Sequence, residues 1–453
     1  MNVLSNVVAR VMFVLLITFS VPVPAQVVGW TFKGASSGVP SWDLTETTPR
    51  DEDLKEAIER MKRNGVNWYE IGVAWFMPSL TSIVVEPIYD RERIHPAASG
   101  SLLPTVSDQR LEQVIAKFRT NGIKVYLRPS VEPNMAAWRG DIAPTDWNQW
   151  FNSYTGFITH YARLAQRSGA EMLSVGLELN SSVGRTENWR ALIAAVRSVY
   201  SGAISYDCGG VLYHGRDEDY TTMDLVRNWQ AASVGDFLSA VDYIGIDWYP
   251  PIASRSDSSV AEMTENARAI ADQFLRPLVQ RFGKPIYFGE IDYASVDRSA
   301  MNPLLYRSGN IDEGEQASAF EAIFRVFSNQ PWFAGMFPAS HFLTVFKDQA
   351  GTTNSIWFKP AEGVFQRWYG GALAKAGCLF DWAERTYPTL FPNSHIGNGL
   401  DYYAPYYYRY YPGSANYVGV SSDNQRVWLL GSITGGQLTE VGTFEAFAAT
   451  AGC

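Results

Sequence analysis

The run Met172-Leu-Ser-Val-Gly-Leu-Glu178 is a short apolar stretch that ends on an acid, and Pro285-Ile-Tyr-Phe-Gly-Glu290 repeats the form further along. Both read as buried strands, with Gly176 and Gly289 close to the closing glutamate. Acids at the C-terminal ends of strands are where an eight-stranded parallel barrel keeps its chemistry. The fold reading therefore depends on whether the flanking sequence supplies the other six strands.

It does. Val27-Val-Gly-Trp-Thr-Phe32 reads as a first strand. Leu54, Ile58 and Met61 then share one helical face that Gly65 ends. Val66 to Val73 is a second strand. Leu111, Val114, Ile115 and Phe118 form the next apolar face, stopped at Gly122, and Ile123-Lys-Val-Tyr-Leu-Arg-Pro129 is a third strand. Trp150, Tyr154, Phe157, Tyr161 and Leu164 mark a long helix over 145–168. The strand ending at Glu178 is the fourth. Leu192, Ile193 and Val196 mark a helix, and Ala203-Ile-Ser-Tyr-Asp207 is strand five. Val241-Asp-Tyr-Ile-Gly-Ile-Asp247 is strand six, followed by a helix over 267–282. Strand seven ends at Glu290. A helix over 317–327, a strand over 332–337 and a helix over 360–373 complete the series. Eight strand–helix units in one run predict a closed (β/α)8 TIM barrel over residues 26–375. A doubly wound open sheet would alternate too, but its first turn would carry a glycine-rich phosphate loop, and none is present.

After about residue 376 the character changes. Leu400-Asp-Tyr-Tyr-Ala-Pro-Tyr-Tyr-Tyr-Arg-Tyr-Tyr411 is crowded with tyrosine, and short alternating runs follow at 417–420 and 426–430. These predict hairpins, and hence a small β-rich C-terminal domain over 376–453. Cys378 and Cys453 bracket it, so their pairing would close it with a disulfide; the sequence alone does not fix that pairing. Cys208 would then be free, buried beside a strand end.

The N-terminus reads as a signal peptide over 1–25. Arg10 precedes the apolar run 11–21, and Val23-Pro24-Ala25 offers a cleavage site before Gln26. The expected location is secreted or periplasmic, where disulfides are permitted. A lone membrane anchor is the lesser alternative, because the run is short for a bilayer.

Composition narrows the partner. With 46% hydrophobic and 18% charged residues, the chain is globular with a large core. A net charge of -9 and a pI near 5.2 count against nucleic acid and anionic membrane surfaces and favour a neutral substrate. The 15 Trp and 24 Tyr suit sugar faces, but core packing is the default role for most of them.

Two carboxyl groups across one barrel mouth are the minimum equipment for cleaving a glycosidic bond. One gives a proton to the leaving oxygen, and the other attacks the anomeric carbon or activates water. The tops of strands four and seven face each other, which places Glu178 and Glu290 on opposite sides of one sugar. Taken singly, each reads as a salt-bridged strand end; together they point to catalysis.

Strand-four Gly-Leu-Glu178-Leu, strand-seven Phe-Gly-Glu290-Ile-Asp-Tyr293 and strand-six Asp242-Tyr-Ile-Gly-Ile-Asp-Trp-Tyr249 resemble clan A glycoside hydrolases. The nearest likeness is to glycoside hydrolase family 113, the endo-β-1,4-mannanases, over about residues 27–373. The resemblance implies Glu178 as acid/base and Glu290 as nucleophile, acting with retention and without a cofactor or metal. Many clan A members carry Asn just before the acid/base, where it grips the sugar 2-hydroxyl. Here that place is Leu177, and Asn180 follows two residues after the glutamate. The tryptophan often found in the last barrel strand is also missing from Gly335-Met-Phe-Pro-Ala-Ser340.

Arg128, topping strand three, is a candidate to hold the nucleophile ionised. Tyr249 is a candidate to hydrogen-bond the nucleophile or the sugar. Trp75, Tyr206 and Trp248 are the remaining substrate-binding candidates, with packing as the plain alternative for each Trp. Asp292 reads as a loop-ordering residue and His341 as structural. The five His show no metal-binding spacing, and Gly34-Ala-Ser36-Ser-Gly38 lacks the strand–turn–helix context of a serine nucleophile. The expected partner is a β-1,4-linked polysaccharide or oligosaccharide, most simply mannan or glucomannan, with no nucleic acid and no stable membrane insertion. The rival reading is a non-catalytic carbohydrate-binding or envelope protein on a barrel scaffold.

Overall fold

The computed structural model describes residues 27–371 apart from 39, 42, 97–101, 136, 210–234, 304–309 and 346–352, together with five C-terminal strands and residues 386, 388 and 389. The expected leader 1–25 and the cysteines at 378 and 453 lie outside the described residues. Cys208 is a buried free thiol, as expected.

Eight parallel strands close into a barrel in chain order. They are β1 (Phe32–Ala35), β2 (Trp68–Met77), β3 (Lys124–Pro133), β4 (Met172–Leu177), β5 (Ala203–Gly209), β6 (Tyr243–Trp248), β7 (Ile286–Ile291) and β8 (Phe333–Pro338). The principal helices around them are α1 (Asp51–Arg63), α2 (Asp108–Thr120), α3 (Trp147–Ser168), α4 (Thr186–Arg197), α5 (Val260–Ile270), α6 (Arg276–Phe282), α7 (Glu313–Phe327) and α8 (Pro360–Tyr369). α5 and α6 are joined without a break by a π-helical turn over Ala271–Leu275, so the expected helix over 267–282 is present and begins earlier, at Val260. Local chemistry sets the helix starts. Asp146 caps α3 by accepting from Asn148 and Gln149 backbone N–H, and Asp312 caps α7 by accepting from Glu315 N.

The first strand lies later than the sequence pattern predicts. Residues 27–31 form an extended lead-in rather than a ladder strand: Val28 N–H donates to the Trp368 carbonyl at the end of α8, and Trp30 stacks on Phe324 of α7. β1 itself begins at Phe32, which pairs with Gly335 of β8 and closes the seam. β2 and β3 run longer than expected, in register from Trp68 opposite Lys124 to Met77 opposite Pro133.

The barrel interior is layered. Phe32, Trp68, Tyr126, Met172, Tyr287 and Phe337 fill its lower part as an apolar plug, with edge-on ring contacts such as Phe32 on Trp68 at 5.1 Å. Polar side chains lie above the plug, and the mouth above them. A separate apolar layer joins the outer strand faces to the helices. In the C-terminal part, β9 (Leu400–Tyr403), β10 (Tyr406–Tyr411), β11 (Asn416–Ser421), β12 (Arg426–Leu430) and β13 (Thr439–Thr443) form one sheet in the order β13-β12-β11-β10-β9. Its pairings are antiparallel, in keeping with the expected hairpins. Among the described residues, no helix is long and apolar enough to cross a membrane.

Candidate active site

Strand alternation decides which side chains reach the barrel interior. Along β3, Tyr126, Arg128, Ser130 and Glu132 share one parity, and all are buried although three are polar or charged. Arg128 is fully enclosed. Its Nη2 lies 2.5 Å from Asp247 Oδ1 of β6 and 3.5 Å from Asp207 Oδ1 of β5, and its Nη1 lies 3.7 Å from Glu70 Oε2 of β2. Nη1 also donates to the Gly289 carbonyl at 3.2 Å. Burial works against the guanidinium charge, but the three carboxylates outweigh it and raise its pKa. Burial likewise pushes Glu70 up to about 8 against the opposing pull of Arg128.

Asp207 is the hub beneath. It accepts from Tyr126 at 2.5 Å, from Ser174 at 2.8 Å and from Tyr287 at 3.0 Å. Two glycines make room for it. A Cβ on Gly289 would sit 2.0 Å from Asp207 Oδ1, and one on Gly245 would sit 2.1 Å from the same oxygen. The glycine beside the strand-seven glutamate is therefore a space requirement of the layer below. Gly289→Ala is expected to destabilise the fold by about 1–3 kcal/mol, the scale of overpacking. Urea unfolding measures it, and an unchanged midpoint would show that Asp207 can move aside freely.

Above this layer the two strand-end glutamates come together. Glu290 ends β7 opposite Asp247. Burial raises its pKa, Arg128 opposes the rise, the negative charge of Glu178 adds to it, and the Arg139 charge and a hydrogen bond from Tyr249 oppose it again. Glu178 stands beside Gly209 of β5, Gly209 pairs with Asp247 of β6, and Asp247 pairs with Glu290, so neighbouring strands carry the two glutamates to the same rim. Glu178 directly follows β4, at a bulge in the β4–β5 pairing. Its φ of 51° lies in the left-handed region that non-glycine residues rarely occupy, and its N–H donates to the Asp207 carbonyl at 2.9 Å. Strained backbone of this kind persists only where surrounding contacts enforce it.

One oxygen of Glu178 is held from outside the strand. Oε2 accepts from Trp138 Nε1 at 3.0 Å and from Arg139 Nη1 at 2.8 Å. Both donors come from the short connection between β3 and α3, where Arg139–Asp141 forms a single 3-10 turn. Arg139 also donates twice to Glu132 Oε1, from Nε at 3.0 Å and from Nη2 at 2.6 Å.

Of the candidates from sequence, Arg128, Tyr249 and Asn180 reach this region. A Cβ on Gly209 would lie 3.3 Å from Asn180 Nδ2 and 3.5 Å from Glu178 Cγ, so the amide stands beside the glutamate. Among the described residues, neither its Nδ2 nor its Oδ1 has a hydrogen-bond partner. Three candidates are placed elsewhere. Trp75 packs on Phe157 of α3 and donates Nε1 to Tyr161 Oη at 3.1 Å. Tyr206 packs edge-on against Trp189 of α4. Trp248 stacks on Phe288 and meets Phe327 of α7. All three have outward parity on their strands, which packs them against helices, Tyr206 and Trp248 buried and Trp75 half-buried, and corrects their expected part in binding substrate. His341 is structural, as expected: its ring packs against Trp357 and Phe365, and burial drops its pKa to about 3. Asp292 orders its own loop, accepting from Tyr293 N and from the Asn354 amide.

Sequence reasoning assigned no role to Glu70, Asp207, Asp247, Glu132, Trp138 and Arg139. The first four had a usable signal, since polar residues recurring at every second place in an otherwise apolar strand mark an interior face. Trp138 and Arg139 had none, because a loop carries no period. Among the described residues, the carboxylates of Asp297, Asp312 and Glu315 lie within 4.8 Å of one another. They are occupied with loop shaping: Asp312 caps α7, and Glu315 accepts from Arg298 N and Ala300 N.

Comparison with known proteins agrees with the layout. The sequence matches the model of Glycoside Hydrolase Family 113 over residues 41–358. No curated protein matches the chain. A GH113 β-mannanase from Alicyclobacillus acidocaldarius, solved in complex with ManMIm, is similar in structure, with a TM-score of 0.60 at 24% identity over 75% of this chain and 97% of that one. Two further GH113 β-1,4-mannanase structures, one of them a complex, each give a TM-score of 0.59 at 24% identity over 75% of this chain and 99% of the other. These structures bear out the barrel, and the family match extends through every strand from β2 to β8. The chain belongs to glycoside hydrolase family 113 and is a glycoside hydrolase.

Proposed function

We propose that this enzyme cleaves β-1,4-linked mannan or glucomannan with retention, using Glu178 as acid/base and Glu290 as nucleophile. The observation that carries the proposal is the placement of these two glutamates at one rim of the barrel, Glu178 just past β4 beside Gly209 of β5, and Glu290 on β7 paired with Asp247 of β6, the neighbour of Gly209. The β-mannanase activity in the names of the structural neighbours supports the choice of polysaccharide.

In the first step the Glu290 carboxylate attacks the anomeric carbon while Glu178 gives its proton to the leaving oxygen. The carbon–oxygen bond to the leaving sugar breaks as the bond to Glu290 forms. In the second step Glu178 takes a proton from water, the water oxygen bonds to the anomeric carbon, and Glu290 leaves as a carboxylate. Arg128 and the Tyr249 hydroxyl favour the ionised form that Glu290 needs at the start and end of the cycle. Asn180 offers its unpartnered amide to a sugar hydroxyl, the contact that Leu177 cannot make. The apolar run 11–21 supports export, which would bring the enzyme to its polymer.

The test is release of reducing ends from mannan, glucomannan, cellulose and xylan by the full mature chain. Mannan and glucomannan are expected to be cleaved best. Binding without release on every polymer would favour the non-catalytic rival. Glu178→Gln should lower kcat on mannan by about 10²–10⁴-fold, the usual contribution of a general acid. In kcat/KM, which reports the first step alone, the loss should shrink on an aryl mannoside whose leaving group needs no proton. An equal loss on both substrates would remove Glu178 from the acid role.

A further inference from the structure

A general acid must hold a proton when substrate arrives, yet Glu178 is in contact with a guanidinium. Arg139 Nη1 lies 2.8 Å from Glu178 Oε2. An isolated cation at that distance would favour the carboxylate and deprive the first step of its proton. The structure also contains a counterweight. Glu132 Oε1 takes two of the remaining Arg139 donors, at 2.6 and 3.0 Å. The three side chains are all largely enclosed, with exposures of 13% for Arg139, 6% for Glu132 and 14% for Glu178.

We infer that Arg139 and Glu132 form a charge-compensating pair that positions Glu178 and sets the pH at which it can act as acid. The inference rests on the acid/base role proposed above. Glu132 is a positioning residue: it acts through Arg139 and has no bond to Glu178. With Glu132 bound, the charge of Arg139 is largely neutralised, so less of it is felt at Glu178. Once that proton passes to the leaving oxygen, the new carboxylate finds a donor already in place, so Arg139 stabilises charge as it develops. Trp138 adds a second, neutral donor to the same oxygen. Oε2 is thus the held oxygen, which leaves Oε1 for the leaving oxygen of the substrate. The turn that carries both donors is itself anchored, since Ser181 Oγ donates to the Gly140 carbonyl at 2.7 Å. The indole of Trp138 also lies over Gly140, where a Cβ would meet the ring at 2.4 Å.

The other charged groups facing Glu178 are Glu290 from β7 and Asp247 from β6. Any charge on either carboxyl opposes its ionisation. Arg139 is therefore the cation that decides, and Glu132 decides how much of its charge is felt. Burial works against the Arg139 charge, but Glu132 and Glu178 together outweigh it and push its pKa upward.

The test is the pH profile of kcat/KM on mannan. Glu132→Gln keeps the shape but frees the Arg139 charge, so the alkaline limb, where the protonated acid is lost, should move down by about one pH unit. Arg139→Gln removes the cation and leaves Glu132 as a negative neighbour, so the same limb should move up by about one unit. The double variant should return close to the wild-type limb. Arg139→Lys, which keeps the charge without the fork, should lower kcat with the limb nearly unmoved. Opposite shifts cannot come from general loosening of the loop. Limbs that stay fixed, or move together, would overturn the pairing. The carboxyl carbon resonance of Glu178, assigned by its loss in Glu178→Gln, should show the same order of midpoints without substrate. A protein inactive on every polymer that still shows this order would defeat the proposed activity while keeping the charge pair. Full activity on mannan without the order would do the reverse.

Discussion

Glu290→Ala is expected to lower kcat on mannan by about 10⁶-fold, the scale on which removing a covalent nucleophile acts in other hydrolases. The argument starts from position. Glu290 tops β7, is backed by the Arg128 charge and accepts from Tyr249, so the environment supplies what an attacking carboxylate needs. Truncation leaves a hole where the carboxylate stood, and azide fits such a hole. With an activated β-mannoside and azide, Glu290→Ala should regain turnover and give the α-mannosyl azide, because the anion attacks directly. Glu178→Ala should instead give the β-mannosyl azide, because there azide attacks a mannosyl-enzyme already formed on Glu290. The two stereochemical outcomes assign the two roles independently. A β product from Glu290→Ala would exchange or abolish the assignment.

Arg128→Met should have the largest effect on stability. The guanidinium lies 2.5 Å from Asp247, 3.5 Å from Asp207 and 3.7 Å from Glu70, all fully enclosed. Breaking a buried ion pair by deleting one partner costs about 3–5 kcal/mol, because the remaining charge is stranded. Here the deletion strands a cluster. The pH dependence has a definite sign. Glu70 is raised by burial to about 8 in the folded state, and burial also raises Asp247 well above the usual carboxylate range. A carboxyl whose folded pKa exceeds its unfolded value makes the fold lose stability as pH rises from the unfolded value through the folded one. Arg128 opposes both rises, so its removal should steepen the loss. The gap between Arg128→Met and the parent in urea unfolding should therefore be larger at pH 8 than at pH 5. A constant gap, or a small one at both pH values, would mean that these carboxyls stay neutral without help from Arg128.

The barrel and its two glutamates were legible because each signal is local. An apolar run of strand length, a helical face and a stopping glycine each lie within a dozen residues, and eight repetitions leave few folds to choose from. Glu178 and Glu290 were found by the same route, as acids where strands end. The first strand was misplaced because Val28 and Trp30 are as apolar as strand residues but are buried against α7 and α8 instead of a ladder. Trp75, Tyr206 and Trp248 were put at the mouth for being aromatic near strand ends. Their parity sends them outward, and parity becomes secure only when inner neighbours such as Arg128, Asp207 and Asp247 are seen in contact.

Taken alone, the sequence determined the order of elements, the parallel barrel and the pair of acids, because these follow from periodicity and from residues adjacent in the chain. Tertiary structure alone decided what surrounds those acids. Arg139 meets Glu178 across 39 positions of sequence, and Arg128 meets Asp247 across 119. Charge interactions depend on distance through space and on the exclusion of water, neither of which the spacing of letters records.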